Sequence, residues 1–168
     1  MLLRCFESAS AIAPDYPMSH LFLGRLYYLM RRETDAVREF SVFKEKMALL
    51  PKMDTDTKKM YIGNLRYISS IYLTLKMHPE CLRTLGEILR LDPKYQDGHY
   101  DLGVYYYMAE HSRSKAYDEF KKTLELDPGA YTGKKAKYAI EYIRANPDSR
   151  VVADFSFINS EYRDVIPK

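Results

Sequence analysis

A threefold internal repeat constrains this chain more than any other feature. Leu23-Gly24, Tyr27, Ala36 and Phe40 return as Ile68-Ser69, Tyr72, Cys81 and Leu85. They return again as Leu102-Gly103, Tyr106, Ala116 and Phe120. Pro93 and Pro128 close the second and third copies, each after a Leu-Asp pair. Ser69 and Gly103 stand 34 residues apart. A period of that length marks stacked supersecondary units, none of which can bury its apolar face alone. Arrays of this kind build a surface that holds a partner and seldom carry chemistry.

Apolar residues recur at helical spacing almost throughout, and the short breaks carry Pro, Asp or Gly. Nothing alternates with period two for long, so the chain reads as all-α. The pattern predicts helices over about 1–12, 17–31, 34–50, 54–76, 79–91, 95–109, 113–126 and 131–145. Pro14 and Pro17 stop the first helix, and Pro17 opens the second. Asp54-Thr55-Asp56-Thr57 reads as a cluster of helix caps. It lacks the glycine and closing glutamate of a calcium loop. From Ser149 onward no clear period remains. That segment is expected to be an extended tail or to hold a short helix near Ser160 to Asp164.

The repeated residues resemble the tetratricopeptide repeat family, in which each unit is a pair of antiparallel helices, A then B. The resemblance implies a right-handed superhelical solenoid over residues 1–146. Its units span about 17–51, 54–93 and 95–128, with lone helices at 1–12 and 131–146 and a C-terminal tail over 147–168. In the family, Gly24, Ser69 and Gly103 let helix A approach helix B. Ala36, Cys81 and Ala116 face that small residue, and Phe40, Leu85 and Phe120 pack on the next repeat. A related helix-pair repeat of another family is the structural alternative. Gly24 to Ser69 is 45 residues, an excess of 11 over the period, and is assigned to a longer fourth helix and the connection from Pro51 to Lys59. Leu102 to Ala116 is one residue longer than Leu23 to Ala36, which loosens the third turn near His111-Ser112. The last helix is expected to act as a cap, with Lys134, Lys135 and Lys137 on its wet side.

The resemblance also implies where a partner would bind. In the family the A helices line the concave face, within a turn of each small residue. Those positions are Leu21, Arg25 and Tyr28, then Arg66, Ser70 and Leu73, then Tyr100, Val104 and Tyr107 with Met108 at the rim. The last helix adds Lys135, Ala139 and Tyr142. Tyr and aliphatic contacts with a few fixed cations suit an extended or helical peptide carrying a carboxylate. Arg25 and Arg66 are the expected anchors, unless they are solvated or paired with neighbouring acids. Tyr28, Tyr100 and Tyr107 are expected to face the groove. The family's two-carboxylate clamp for chaperone tails needs a Lys and Asn pattern where this chain has Leu21, Arg25, Arg66 and Ser70.

Composition excludes other classes. Basic and acidic residues number 26 and 23 and are mixed along the chain, so no basic stripe marks a nucleic-acid footprint. No apolar run of about 18 residues exists to span a membrane. The start at Met1-Leu2-Leu3-Arg4 is too soon charged for a signal peptide, and the expected location is cytoplasmic. Cys5 and Cys81 have no metal spacing. His20, His78, His99 and His111 lie in different helices or turns, and no nucleophile, phosphate-loop or metalloprotease motif appears. The expectation is a scaffold or adaptor with no catalytic residue, cofactor or metal. The alternative is a regulatory or substrate-positioning domain of a larger enzyme or assembly machine. The tail's Val151-Val152-Ala153-Asp154-Phe155-Ser156-Phe157-Ile158 is apolar and acidic, which suggests self-association or folding back on the array.

Overall fold

The computed structural model describes residues 2–13 and 15–146. It is all-helical, with α1 (Leu2–Ile12), α2 (Pro17–Leu29), α3 (Glu33–Ala48), α4 (Thr55–Thr74), α5 (His78–Leu91), α6 (Gln96–Met108), α7 (Arg113–Leu126) and α8 (Tyr131–Ala145). Each lies within two residues of its predicted span. The tail, with its proposed short helix and its part in self-association, lies outside the described residues. Two compact units form, Met1–Tyr61 and Ile62–Lys168, and the division falls inside α4.

In the first unit, α2 and α3 make a hairpin whose closest approach is at Gly24. The Phe40 ring lies over that glycine, where an added Cβ would meet ring carbons at 2.5 Å. Phe40 therefore packs over the glycine of its own helix pair. Phe43 and Tyr61 meet edge to face at 5.7 Å, and both are buried. Phe6 of α1 stacks on Phe22 of α2 at 5.5 Å. Lys46 pairs with Asp15 and ties α3 to the turn before α2.

The second unit repeats the hairpin. Cys81 Sγ donates to the Ser69 carbonyl at 3.4 Å, so α5 sits close on α4 at the small residue. Gly103 lies under Phe120, with a Cβ position 2.7 Å from the ring. Two long side chains cap neighbouring helices. Gln96, first in α6, donates its amide to the Thr123 and Asp127 carbonyls at the end of α7. Arg113, first in α7, donates to the Ile143 and Asn146 carbonyls at the end of α8. Both satisfy carbonyls that a helix end leaves without a partner. They also place the start of each helix at the end of the one it serves, so α6, α7 and α8 run antiparallel in sequence.

The three hairpin turns share one device. Arg31, Lys76 and His111 adopt φ of 60°, 58° and 52°. Each leading helix thus ends in a left-handed residue, as helices commonly do, but without the usual glycine. Arg32 and Met77 donate their amides to carbonyls five residues back, on Tyr27 and Tyr72. In the third turn Ser112 reaches six residues back, to Tyr106. This is the loosening expected from the extra residue near His111.

The excess of 11 residues is now accounted for. α4 begins 14 residues before Ser69, whereas α2 and α6 begin seven before their glycines. The rest is shared between a longer α3 and a connection of six residues in place of four. Asp54 caps α4 by accepting the Thr57 amide at 2.7 Å. That bond is the main reason its carboxyl sits below the ordinary range.

Candidate partner-binding face

The expected groove positions fall into three groups by burial. Leu21 is wholly enclosed in the first unit, while Arg25 and Tyr28 are half-buried. Tyr100, Val104 and Tyr107 are buried and belong to one core cluster with Phe120, Ala136, Ala139, Ile140 and Ile143. The expectation that Tyr100 and Tyr107 face an open groove is therefore corrected. Both rings lie on the side of α6 that packs on α7 and α8, and Tyr100 meets Phe120 at 5.4 Å. Leu73, Met108 and Tyr142 lie partly buried against the same cluster.

Arg66 follows the alternative reading of the sequence and pairs with neighbouring acids. Its Nε donates to Asp101 Oδ2 at 2.6 Å and its Nη2 to Asp101 Oδ1 at 3.2 Å, a two-pronged pairing. Its Nη1 donates to Asp97 Oδ2 at 2.6 Å. The same Asp97 accepts the Thr132 hydroxyl through Oδ1. A guanidinium so engaged makes charge-assisted bonds to its own chain and is not held out for a partner's acid. The network joins the middle of α4 to the first half of α6, and the first turn of α6 to the first turn of α8. Tyr95 lies alongside, its ring 5.9 Å from the Arg66 guanidinium carbon. Burial pushes the Tyr95 phenol up, against the pull of Arg66.

Lys135 is the second correction. Instead of sitting on the wet side of α8 it is 8% exposed. Its ammonium lies 4.4 Å from the Tyr131 ring centre and 6.0 Å from that of Tyr100. Cation–π attraction and burial of its methylene stem hold it there. Lys134 and Lys137 are exposed, as expected. Ser70 donates its hydroxyl to the Tyr67 carbonyl at 2.7 Å and serves its own helix.

Arg66, Asp97, Asp101 and Thr132 thus link α4, α6 and α8. At the middle of α4 and toward the starts of α6 and α8 lies the polar network of Arg66, Asp97, Asp101 and Thr132. Toward the ends of these helices lie Leu73, Met108 and Tyr142, one from each helix, partly buried against the core cluster. The arrangement offers half-buried apolar contacts beside fixed charge. Among the described residues no group of His, Cys, Asp and Glu could hold a metal ion, and no helix is long and apolar enough to cross a membrane.

The sequence reading missed Asp97, Asp101 and Thr132, although the period points to them. Arg66 to Asp101 and Asp97 to Thr132 are each 35 residues, about one repeat. It also missed a recurring pair. His20 Nδ1 lies 2.8 Å from Glu39 in the first unit, and His99 Nδ1 lies 2.7 Å from Glu119 in the second. Each histidine stands four residues before its glycine, and each glutamate three after its Ala. In the middle copy Leu65 and Thr84 occupy these places, both fully buried. No protein-family model matches this chain, and no curated protein is similar to it at a meaningful level.

Proposed function

We propose that this chain is a protein–protein interaction module, a scaffold or adaptor of tetratricopeptide type, that holds a peptide segment against its leading helices. The observation that carries the reading is the row Leu73, Met108 and Tyr142, partly buried against one core on three helices tied together by the Arg66 network. A rigid, fixed set of apolar groups binds at low entropic cost. Polar groups flanking such a row fix the orientation of an extended or helical segment. Tyr100, Val104 and Tyr107 belong to the cluster against which the three side chains pack, and the Arg66 network links their helices. The repeat period and the paired helices support the solenoid arrangement. The repeat architecture supports a non-catalytic role.

A random peptide library displayed on phage and selected against the whole chain tests this. Selected peptides should bind at least tenfold more weakly to Leu73→Ala/Tyr142→Ala with its melting temperature held within a few degrees. Failure to select any peptide, or equal binding by the variant, would refute the reading.

A further inference from the structure

The start of α6 is held by a hydrogen-bond arrangement that a neutral histidine cannot complete. His99 Nδ1 lies 2.7 Å from Glu119 Oε2 on α7, and His99 Nε2 lies 3.0 Å from the Pro93 carbonyl in the connection before α6. The His99 and Glu119 side chains are 13% and 10% exposed, so water competes little for these bonds. On the other carboxylate oxygen, Lys122 Nζ donates to Glu119 Oε1 at 2.7 Å. Among the described residues these are the polar groups that face the ring, and no ion pair reaches it from α4, α5 or α8.

A neutral imidazole offers one N–H and one lone pair. A carbonyl oxygen only accepts, so the bond to Pro93 requires a proton on Nε2. The short contact between Nδ1 and Oε2 requires a second proton, on the ring or on the acid. Lys122 points to the ring. Its hydrogen bond to Glu119 is the main cause that raises its ammonium above the ordinary value, and a carboxylate has that effect where a neutral acid does not.

We propose that His99 carries both protons and acts as a proton-dependent clasp, tying the start of α6 to α7 and to the α5–α6 connection, and opening when one proton leaves. Loss of the Nδ1 proton turns a lone pair on the carboxylate at 2.7 Å, and loss of the Nε2 proton turns one on the carbonyl at 3.0 Å. Neither neutral tautomer satisfies both sides, so one contact must lengthen. The clasp is therefore closed at pH values where the imidazole keeps its charge, and it opens as pH rises. Asp97 and Asp101 stand two residues to either side of His99 on α6. The segment released is thus the one that carries the bonds to Arg66.

None of these groups belongs to the Leu73, Met108 and Tyr142 row, so this inference stands or falls apart from the peptide-binding reading. Nitrogen-15 spectra of the imidazole rings in the full chain, followed from about pH 5 to 9, test it. Amide exchange of residues 96–101 and 119–123, corrected for its intrinsic rise with pH, is read alongside. As the His99 ring loses its second proton, exchange in both segments should speed at least fivefold with the same midpoint. Glu119→Gln replaces the anion by an amide that can donate to Nδ1. In that variant His99 should lose the proton about one pH unit lower or more, a tenfold weaker hold, and exchange should no longer follow it. Exchange that ignores the His99 titration in the parent would overturn the clasp, and this readout stands whether or not the variant folds. A midpoint shared by parent and variant would overturn the part given to Glu119.

Discussion

The Phe40 ring covers Gly24 so closely that a Cβ on the glycine would stand 2.5 Å from two of its carbons. Phe120 covers Gly103 in the same way at 2.7 Å. The middle copy carries Ser69 and Leu85 at the matching places. Where the leading helix bears a side chain, the partner is therefore not aromatic. The two positions act as one packing unit, and the molecule holds both solutions to it.

Gly24→Ala should cost about 1–3 kcal/mol, the usual range for overpacking a filled core. Phe40→Leu alone should cost on the order of 1 kcal/mol through the space it leaves. The double variant should lose less than the sum, because it moves toward the arrangement of Ser69 and Leu85. A double-mutant cycle by urea denaturation measures the coupling. Additive losses would show that Gly24 and Phe40 are not packed as described.

Arg66 neutralises two carboxylates that are themselves drawn together by the fold. Arg66→Met should destabilise the second unit by about 1–3 kcal/mol, since Asp97 and Asp101 are left partly buried without their donor. Arg66→Lys should fall between, because an ammonium cannot reproduce the two-pronged bond. Chemical denaturation of the three proteins orders them. A lysine variant as stable as the parent would mean that charge alone matters at this site.

The turn residues Arg31 and Lys76 are held at positive φ, where a side chain costs roughly 1–2 kcal/mol relative to the right-handed region. Glycine removes that cost but gives back part of it as unfolded-chain entropy. Lys76→Gly should therefore raise stability by about 0.5–1 kcal/mol, and Lys76→Val should lower it. Thermal melting reads both signs. Opposite signs would remove the left-handed conformation from the description.

Burial raises the Cys81 thiol from an ordinary 9.0 to about 12, with Asp101 adding to the shift. Near pH 8 only Cys5, which is exposed, should react rapidly with a thiol reagent, and Cys81 should react on unfolding. The linkage sign follows from the same shift. Well below pH 9 both folded and unfolded Cys81 are protonated and stability is unaffected by it. As pH rises from 9 toward 12 the unfolded thiol ionises while the folded one keeps its proton, so stability falls. Denaturation midpoints of the parent and Cys81→Ala across that range check it. A decline of equal size in both would remove Cys81 as its source.

Much of the fold was legible because its signals are local. Spacing of apolar residues, Pro17, Asp54 and the Leu-Asp-Pro stops define where helices begin and end, and these do not depend on distant parts of the chain. The candidate face was less legible. Whether Tyr100 or Tyr107 points at a groove or into a core depends on the rotation of α6 between α7 and α8, and periodicity cannot resolve adjacent positions on a helix rich in tyrosine. Arg66 looked available because Asp97 and Asp101 lie one repeat away in sequence and become neighbours only when helices stack. Lys135 was placed by its charge, but its stem and the rings of Tyr100 and Tyr131 govern its position. The pairs His20–Glu39 and His99–Glu119 were readable from the repeat alignment, since both partners recur at fixed offsets.

The reading of this chain as a peptide-holding module is tested most directly by mapping amide chemical-shift changes on the full chain with a selected peptide. The expected result is changes concentrated on α4, α6 and α8 around Leu73, Met108 and Tyr142, with smaller ones at Val104 and Tyr107. Changes confined to the exposed faces of α5 and α7, with the leading-helix row unmoved at saturation, would contradict it.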